Sequence, residues 1–230
     1  TAQMYMVNNG LENFTNLLRY LCREAGSMEI DAPPPAEVPW EGCYHPAAPG
    51  YFSSIHDYLA WYKPAADKPN IGLLLTRHAW VTGDLEVENA IIRELERQGM
   101  NVLPVFSYST KNEEQNCRGS AAVVADYFLD KNERSHIDAL IRLQTFLLAG
   151  GGNRGGDNAE VAAEGIALLK KLDVPVFCPV TTTSETVKEW RNSVQGFTGR
   201  LVGWSIAMPE FEGVIEPLMI GAGEDEATNQ

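Results

Sequence analysis

The sequence predicts a doubly wound α/β domain over residues 69–222, with a mainly parallel, flavodoxin-like sheet and helices on both faces. Three observations carry this. From Pro69 onward, short apolar runs alternate with segments of helical period. The strands are continuous apolar stretches such as Asn70–Thr76 (NIGLLLT), the pattern of a parallel sheet covered on both sides. The chain of 230 residues is 44% hydrophobic and 21% charged, which is enough apolar material for a core.

The elements follow in order. Residues 1–68 form a helical and irregular lead-in. Leu11–Glu24 places Leu11, Phe14, Leu17, Leu18, Leu21 and Cys22 at helical period, with Gly26 as a stop. Asp31–Pro39 holds four prolines and reads as an extended surface segment. Ser53–Lys63 reads as a short aromatic helix capped by Ser53. The α/β region then gives a strand at Asn70–Thr76, a helix at Gly83–Gln98 ended by Gly99, and a strand at Asn101–Phe106. A helix at Gly119–Leu129 and a strand at His136–Leu143 come next. They are followed by a helix at Asn158–Leu172, a strand at Val174–Cys178 and a helix at Thr183–Ser193. Strand-like pieces are expected at Leu201–Ala207 and Val214–Ile220, and residues 223–230 form an acidic polar tail. Ligands in such sheets sit at the carboxyl ends of the strands. That puts the loops Arg77–Gly83, Ser107–Gln115, Gln144–Gly156 and Pro179–Thr183 on one rim.

Composition excludes several classes. Lys and Arg number 18 against 31 Asp and Glu, a formal net charge of −13 with no basic cluster, which argues against nucleic-acid binding. No apolar run approaches the roughly 18 residues that span a bilayer. The start lacks the basic and apolar blocks of a signal peptide. Thr1-Ala2-Gln3, with no initiator Met, reads as a cut from something longer, and a cytoplasmic location is expected. Cys22, Cys43, Cys117 and Cys178 form no C-x-x-C pair, so scattered reduced thiols are expected and not a zinc site.

Motifs narrow the chemistry further. No G-x-x-x-x-G-K-[ST], G-x-S-x-G or H-E-x-x-H occurs, which removes a P-loop, an α/β-hydrolase elbow and a zincin helix. Gly150–Gly156 (GGGNRGG) contains a literal G-x-G-x-x-G. It follows the third strand of the α/β region, not the first, so it reads as a crossover or an anion-holding backbone nest and not as a dinucleotide fingerprint. Four histidines are present. His56 lies on the aromatic helix, and His136 is solvated at a strand start. His45 sits in Cys-Tyr-His-Pro. His78 directly follows the first parallel strand, the best functional position in such a fold. Asp84 is expected to satisfy free N–H groups at a helix start. In Met208–Pro217 (MPEFEGVIEP), strand alternation would put Glu210, Glu212 and Glu216 on one face.

These segments resemble the large subunit of the cobaltochelatase/magnesium-chelatase family. The resemblance rests on Asn70–Glu86 (NIGLLLTRHAWVTGDLE), Glu94–Phe106 (ELERQGMNVLPVF), Asp138–Gly152 (DALIRLQTFLLAGGG) and Leu172–Val180 (LDVPVFCPV). Glu189-Trp190 ahead of Gly196, Ala207–Pro217, Gly42–Pro46 (GCYHP) and Tyr58–Tyr62 (YLAWY) follow the same order. Asn8-Asn9-Gly10 departs from it, since a glycine pair would be expected there. The resemblance implies an internal fragment of a much longer subunit, inactive by itself. That subunit binds a tetrapyrrole and inserts Co²⁺ into a corrin precursor or Mg²⁺ into protoporphyrin IX. ATP is hydrolysed only on partners, an AAA+ ATPase subunit and its companion, in keeping with the missing P-loop.

Insertion removes two pyrrole N–H protons and strips water from the ion, work suited to imidazole and carboxylate groups. His78, Glu210 and Glu216 are therefore the expected catalytic set, with His78, His45 and Glu210 toward the metal. Trp80 and Phe146 would wall the ring, and Arg77 or Arg154 would meet a ring carboxylate or amide oxygen. A non-catalytic flavodoxin-like module that binds a ligand or a partner remains the alternative.

Overall fold

The structure is a computed structural model, and it describes residues 1–150 and 158–223. The lead-in gives α1 (Ala2–Asn8), α2 (Leu11–Gly26), β1 (Gly42–Cys43) and α3 (Ile55–Tyr62). Then follow β2 (Asn70–Thr76), α4 (Arg77–Thr82), α5 (Glu86–Arg97), β3 (Asn101–Ser107), α6 (Ser120–Phe128), β4 (Ala139–Arg142), α7 (Asn158–Leu172) and β5 (Val176–Phe177). The C-terminal part adds β6 (Val180–Thr186), α8 (Val187–Asn192), α9 (Gly199–Val202), a π-helical turn at Gly203–Ala207, α10 (Met208–Phe211) and β7 (Met219–Gly223).

The main sheet runs β1-β3-β2-β4-β5. β3, β2, β4 and β5 are parallel, and β1 pairs antiparallel with β3 at Gly42–Phe106. Counting from β2, the parallel order is the 2-1-3-4 of flavodoxin-like sheets, so the connections change direction between β2 and β4. Side-chain alternation explains the two layers. Leu73, Leu75, Val102 and Phe106 face Ile92 of α5. Leu74, Leu103, Val105 and Leu140 face Val123, Val124 and Phe128 of α6, Leu169 and Leu172 of α7, and Tyr58 of α3. Helices therefore cover both faces, as the continuous apolar strands require.

Several expected elements differ. The loop after β2 is itself helical, as α4, capped by the Thr76 hydroxyl, which accepts from the Ala79 N–H at 3.2 Å. Gly83, at φ +78°, ends it. The next helix starts only at Glu86, with Leu85 as its N-cap and Glu86 and Glu88 as first-turn acids, so Asp84 does not cap it. Ser54, not Ser53, caps α3. Thr183–Thr186 is strand, paired in parallel with β7, and only Val187–Asn192 is helical. Leu201–Ala207 is helical where a strand is expected. Of Val214–Ile220, Ile215 bridges to Phe177 beside β5, and β7 begins at Met219. Among the described residues, no helix is long and apolar enough to cross a membrane.

The amino-terminal ends of β2 and β3 are tied to the lead-in through Asn101, which is 4% exposed. Its side-chain N–H groups donate to Ala65 O (2.8 Å), Asn70 Oδ1 (2.8 Å) and Lys68 O (3.2 Å), and its Oδ1 accepts from Ala65 N. Asn101→Asp keeps the acceptor and turns a second oxygen, charged, toward three others. It should lower unfolding free energy by at least about 2 kcal/mol, read from urea midpoints. A smaller loss would mean that water replaces these bonds without cost.

Candidate functional site

A cleft of about 200 Å³ opens where the connections change direction. Thr76, Arg77 and His78 line it from the end of β2, Ser107, Tyr108 and Ser109 from the end of β3, and Gln144, Thr145 and Phe146 from beyond β4. Two larger hollows of about 670 and 460 Å³ run along α7 and α10. The 460 Å³ hollow is lined by Leu147, alanines and Ile166 of α7, Met208 and Phe211, without the convergent polar groups that orient a ligand. The 670 Å³ hollow is an open trough between the carboxyl end of α7 and the segment 211–215, away from the carboxyl ends of β2 and β3. The rim cleft has such convergence, so it is the candidate site.

Its floor is built by Gln144. The side-chain amide donates to Leu75 O (2.8 Å), Ser107 O (3.0 Å) and Ser107 Oγ (2.9 Å). Its oxygen accepts from the Ser120 hydroxyl, which also lies 2.8 Å from Ser107 Oγ. One wall is built by a buried ion pair. Arg142 Nη1 donates to Glu212 Oε2 at 2.6 Å, with both side chains at most 1% exposed. The same carboxylate accepts the Leu148 N–H at 2.8 Å, and Arg142 Nη2 donates to the Phe146 carbonyl. The pair thus sets the path of Thr145–Leu148 past the cleft.

The expected site residues fall in different places. Arg77 is 4% exposed. Its Nε donates to Pro39 O (2.8 Å), its Nη2 to Asn8 O (2.8 Å) and Val38 O (3.1 Å), and its guanidinium lies 4.2 Å over the Trp40 ring. Burial lowers its pKa. His78 is exposed on the cleft beside it. Phe146 lines the cleft at φ +68°, its N–H donating to Trp204 O (2.9 Å) and its ring 5.0 Å from the Trp204 ring. Trp80 stacks on Phe106 at 4.0 Å and 7°, so one of its faces belongs to the core. Arg154 lies outside the described residues.

His45 is buried away from this rim. Its Nδ1 accepts from Ala47 N (3.2 Å) and its Nε2 donates to Glu96 Oε1 (3.2 Å). The same Glu96 oxygen accepts from the Tyr62 hydroxyl, which in turn accepts from Val102 N at the amino end of β3. Burial, the main cause, raises the Tyr62 pKa to about 12. Glu210, Glu212 and Glu216 do not share a strand face, because Met208–Phe211 is helical. Glu210 is exposed on α10, Glu212 is buried, and Glu216 is exposed at φ +57° beside a separate apolar groove formed by Phe177, Leu218 and Ile220. The structure therefore brings Arg77, His78 and Phe146 together and leaves His45, Glu210 and Glu216 apart. Among the described residues, no three His, Cys, Asp or Glu side chains converge as a metal site.

Sequence reasoning missed Ser107, Ser120, Gln144 and Arg142, and it grouped Glu212 with Glu210 and Glu216 on a strand face when its carboxylate is buried on Arg142. One signal was present: Arg142 and Gln144 stand two residues apart at the end of an apolar strand, where polar groups on one face must find buried partners.

Architecture and cleft together define a flavodoxin-like α/β domain with a polar opening where such sheets bind ligands. The chain belongs to the chelatase large-subunit family: the model for CobN/Magnesium Chelatase matches residues 3–230. It is 35% identical over 226 residues to Uncharacterized protein MJ1441 of Methanocaldococcus jannaschii, covering 97% of this chain and 17% of that protein. It is 32% identical over 199 residues to the chloroplastic magnesium-chelatase subunit ChlH of Oryza sativa subsp. indica, covering 82% and 13%. It is 30% identical over 230 residues to the magnesium-chelatase H subunit of Rhodobacter capsulatus, covering 98% and 18%. The chain thus spans under a fifth of the length of these relatives. The fold is also that of part of the catalytic subunit of cobaltochelatase from Mycobacterium tuberculosis, with a TM-score of 0.54 at 20% identity over 93% of this chain and 16% of that one.

Removing one member of the ion pair strands a buried charge. Glu212→Ala should cost about 3–5 kcal/mol of stability, and Arg142→Met with Glu212→Leu together should cost clearly less. Urea unfolding checks both. Equal losses would mean that packing, not the stranded charge, sets the cost. Gly165→Ala should resemble the single mutant in direction, since a Cβ there runs into the Glu212 carboxylate.

Proposed function

We propose that this chain forms part of the macrocycle-binding wall of a chelatase large subunit. The subunit inserts Co²⁺ into a corrin precursor or Mg²⁺ into protoporphyrin IX, and ATP is hydrolysed on separate partner subunits of the AAA+ type. The observation that carries the reading is the family match across residues 3–230, joined to a polar cleft at the strand tips. The names of the Oryza and Rhodobacter relatives support magnesium, and the fold of the Mycobacterium subunit keeps cobalt within the proposal.

Metal insertion needs a ring held in place, acceptors for two pyrrole protons and groups that exchange for the ion's water. In this reading His78, exposed on the cleft, is the proton acceptor. Phe146 and Tyr108 give the ring an aromatic border. Glu210 and Glu216, exposed on the C-terminal segment, are the carboxylates assigned to the metal's path, and the rest of the longer subunit completes the coordination.

The test uses the full-length subunit assayed with its ATPase partners. His78→Ala should slow metal insertion by about 10²-fold, the scale of one general base, with ring affinity held within a factor of two or so. Glu210→Gln and Glu216→Gln are measured alongside. Unchanged insertion removes the role from the residue concerned. Unchanged insertion in all three, with ring binding intact, makes this chain a binding module without a part in the chemistry.

A further inference from the structure

A cation buried as deeply as Arg77 is ordinarily paired with a carboxylate, because desolvating an unpaired charge costs several kcal/mol. Arg77 is 4% exposed, yet no carboxylate among the described residues pairs with it. Its Nε and Nη2 are taken by the carbonyls of Asn8, Val38 and Pro39, and the Trp40 face covers the guanidinium plane. These groups are neutral. They fix the plane and leave the charge uncompensated. Nη1 makes no hydrogen bond among the described residues, and it is not sealed from solvent as Arg142 Nε is. Arg77 lines the rim cleft, and Nη1 is its one guanidinium nitrogen without a hydrogen-bond partner among the described residues.

The rest of the lining sharpens this. The chain carries 31 acidic residues against 18 basic ones, yet none of the nine described residues that line the cleft is acidic. The neighbours of Arg77 are His78, Tyr108, Ser109 and Thr145, which can donate hydrogen bonds. An opening whose described lining holds no acid, above a fixed guanidinium that no described carboxylate compensates, suits an anion, and a planar carboxylate best. Size limits what enters. The cleft holds about 200 Å³, below the roughly 300–1,000 Å³ of sites that enclose a drug-sized ligand. It admits an arm of a macrocycle and not the ring.

We infer that Arg77 Nη1 receives a carboxylate arm of the tetrapyrrole, so that this cleft grips the ring by its edge while the nitrogens that take the metal lie outside it. The inference deepens the function proposed above and rests on it. It chooses Arg77 as the anion receptor and gives the cleft a specificity role, discriminating a free acid from its ester or amide.

The experiment is a tryptophan-quenching titration of the full-length subunit with protoporphyrin IX and with a metal-free corrinoid, each as free acid and as methyl ester. The free acid should bind about tenfold or more tightly than the ester, the scale of one hydrogen bond to a charged group. Arg77→Gln should bring the acid down to the ester's affinity and leave the ester unchanged. Arg77 also holds the lead-in, so that variant can fail to fold. Ser109→Asp avoids this by placing a carboxylate in the same cleft without touching the Arg77 carbonyl partners, and it should abolish the preference in the same way. Equal binding of acid and ester by the unmodified subunit, or equal weakening of both by Ser109→Asp, would overturn the inference and leave the proposed function standing. Failure of every ring form to bind overturns both.

Discussion

A buried side-chain amide must find partners for two N–H groups and an oxygen, and Gln144 finds them at the carboxyl ends of two paired strands. Its donors go to β2 at Leu75 and to β3 at Ser107, and its oxygen takes the Ser120 hydroxyl at the start of α6. With Ser120 donating to Gln144, the Ser107 hydroxyl is left to donate to Ser120 and to accept from Gln144. The three side chains close a ring of hydrogen bonds, and the Ser120 hydroxyl also lies 3.4 Å from Tyr108 O. Such a ring tolerates no exchange of donor for acceptor, because a reversed partner leaves a buried group unmatched at full desolvation cost. A glutamate at this position would present oxygens to two carbonyls. The cleft floor is therefore fixed by hydrogen-bond direction as much as by packing.

The second constraint works from outside the sheet. Glu212 comes from the C-terminal segment, passes α7 at Gly165 where no side chain intervenes, and meets Arg142 and the Leu148 N–H. Phe146 holds its place on the cleft with a left-handed backbone, a conformation costly for a bulky residue. Its N–H and carbonyl are both engaged, by Trp204 O and Arg142. That is how a strained residue is held where the surrounding structure over-determines it. On the opposite wall, Arg77 binds the lead-in carbonyls. The cleft is thus shaped by residues from both ends of the chain, though the strands that carry it lie in the middle.

This explains which parts of the structure were legible in the sequence. β2, β3 and α7 were, because their buried faces are apolar and periodicity reports apolar burial. That the segments after β2, β3 and β4 meet on one rim followed from the direction of the strands, although Arg77–Thr82 is helical and 180–183 is strand where loops are expected. The C-terminal segment misled because its buried face is polar or small. Ser205, Pro209 and Glu212 are buried at helical spacing, while Phe211 and Trp204 stand partly or largely exposed. Apolar alternation in Leu201–Ala207 then reads as a strand. α2 shows the same inversion. Asn13 and Asn16 are buried, with Asn13 pairing with the Ala36 backbone, while Leu11, Leu18 and Leu21 face outward. The helix was legible and its inward face was not.

The functional residues follow the same logic. His78 and Arg77 could be singled out because a strand end is a privileged position, and position along the chain is visible in a sequence. What each side chain does there is decided by its competitors. His45 and Arg77 are both buried and both hydrogen-bonded. His45 is saturated, with one ring nitrogen accepting and the other donating. Arg77 has five N–H groups and only three carbonyl bonds. A fold of this type hosts many functions. The difference between a residue that holds the scaffold and one that still has something to offer a ligand lies in that remainder of unmatched donors, and only the assembled partners reveal it.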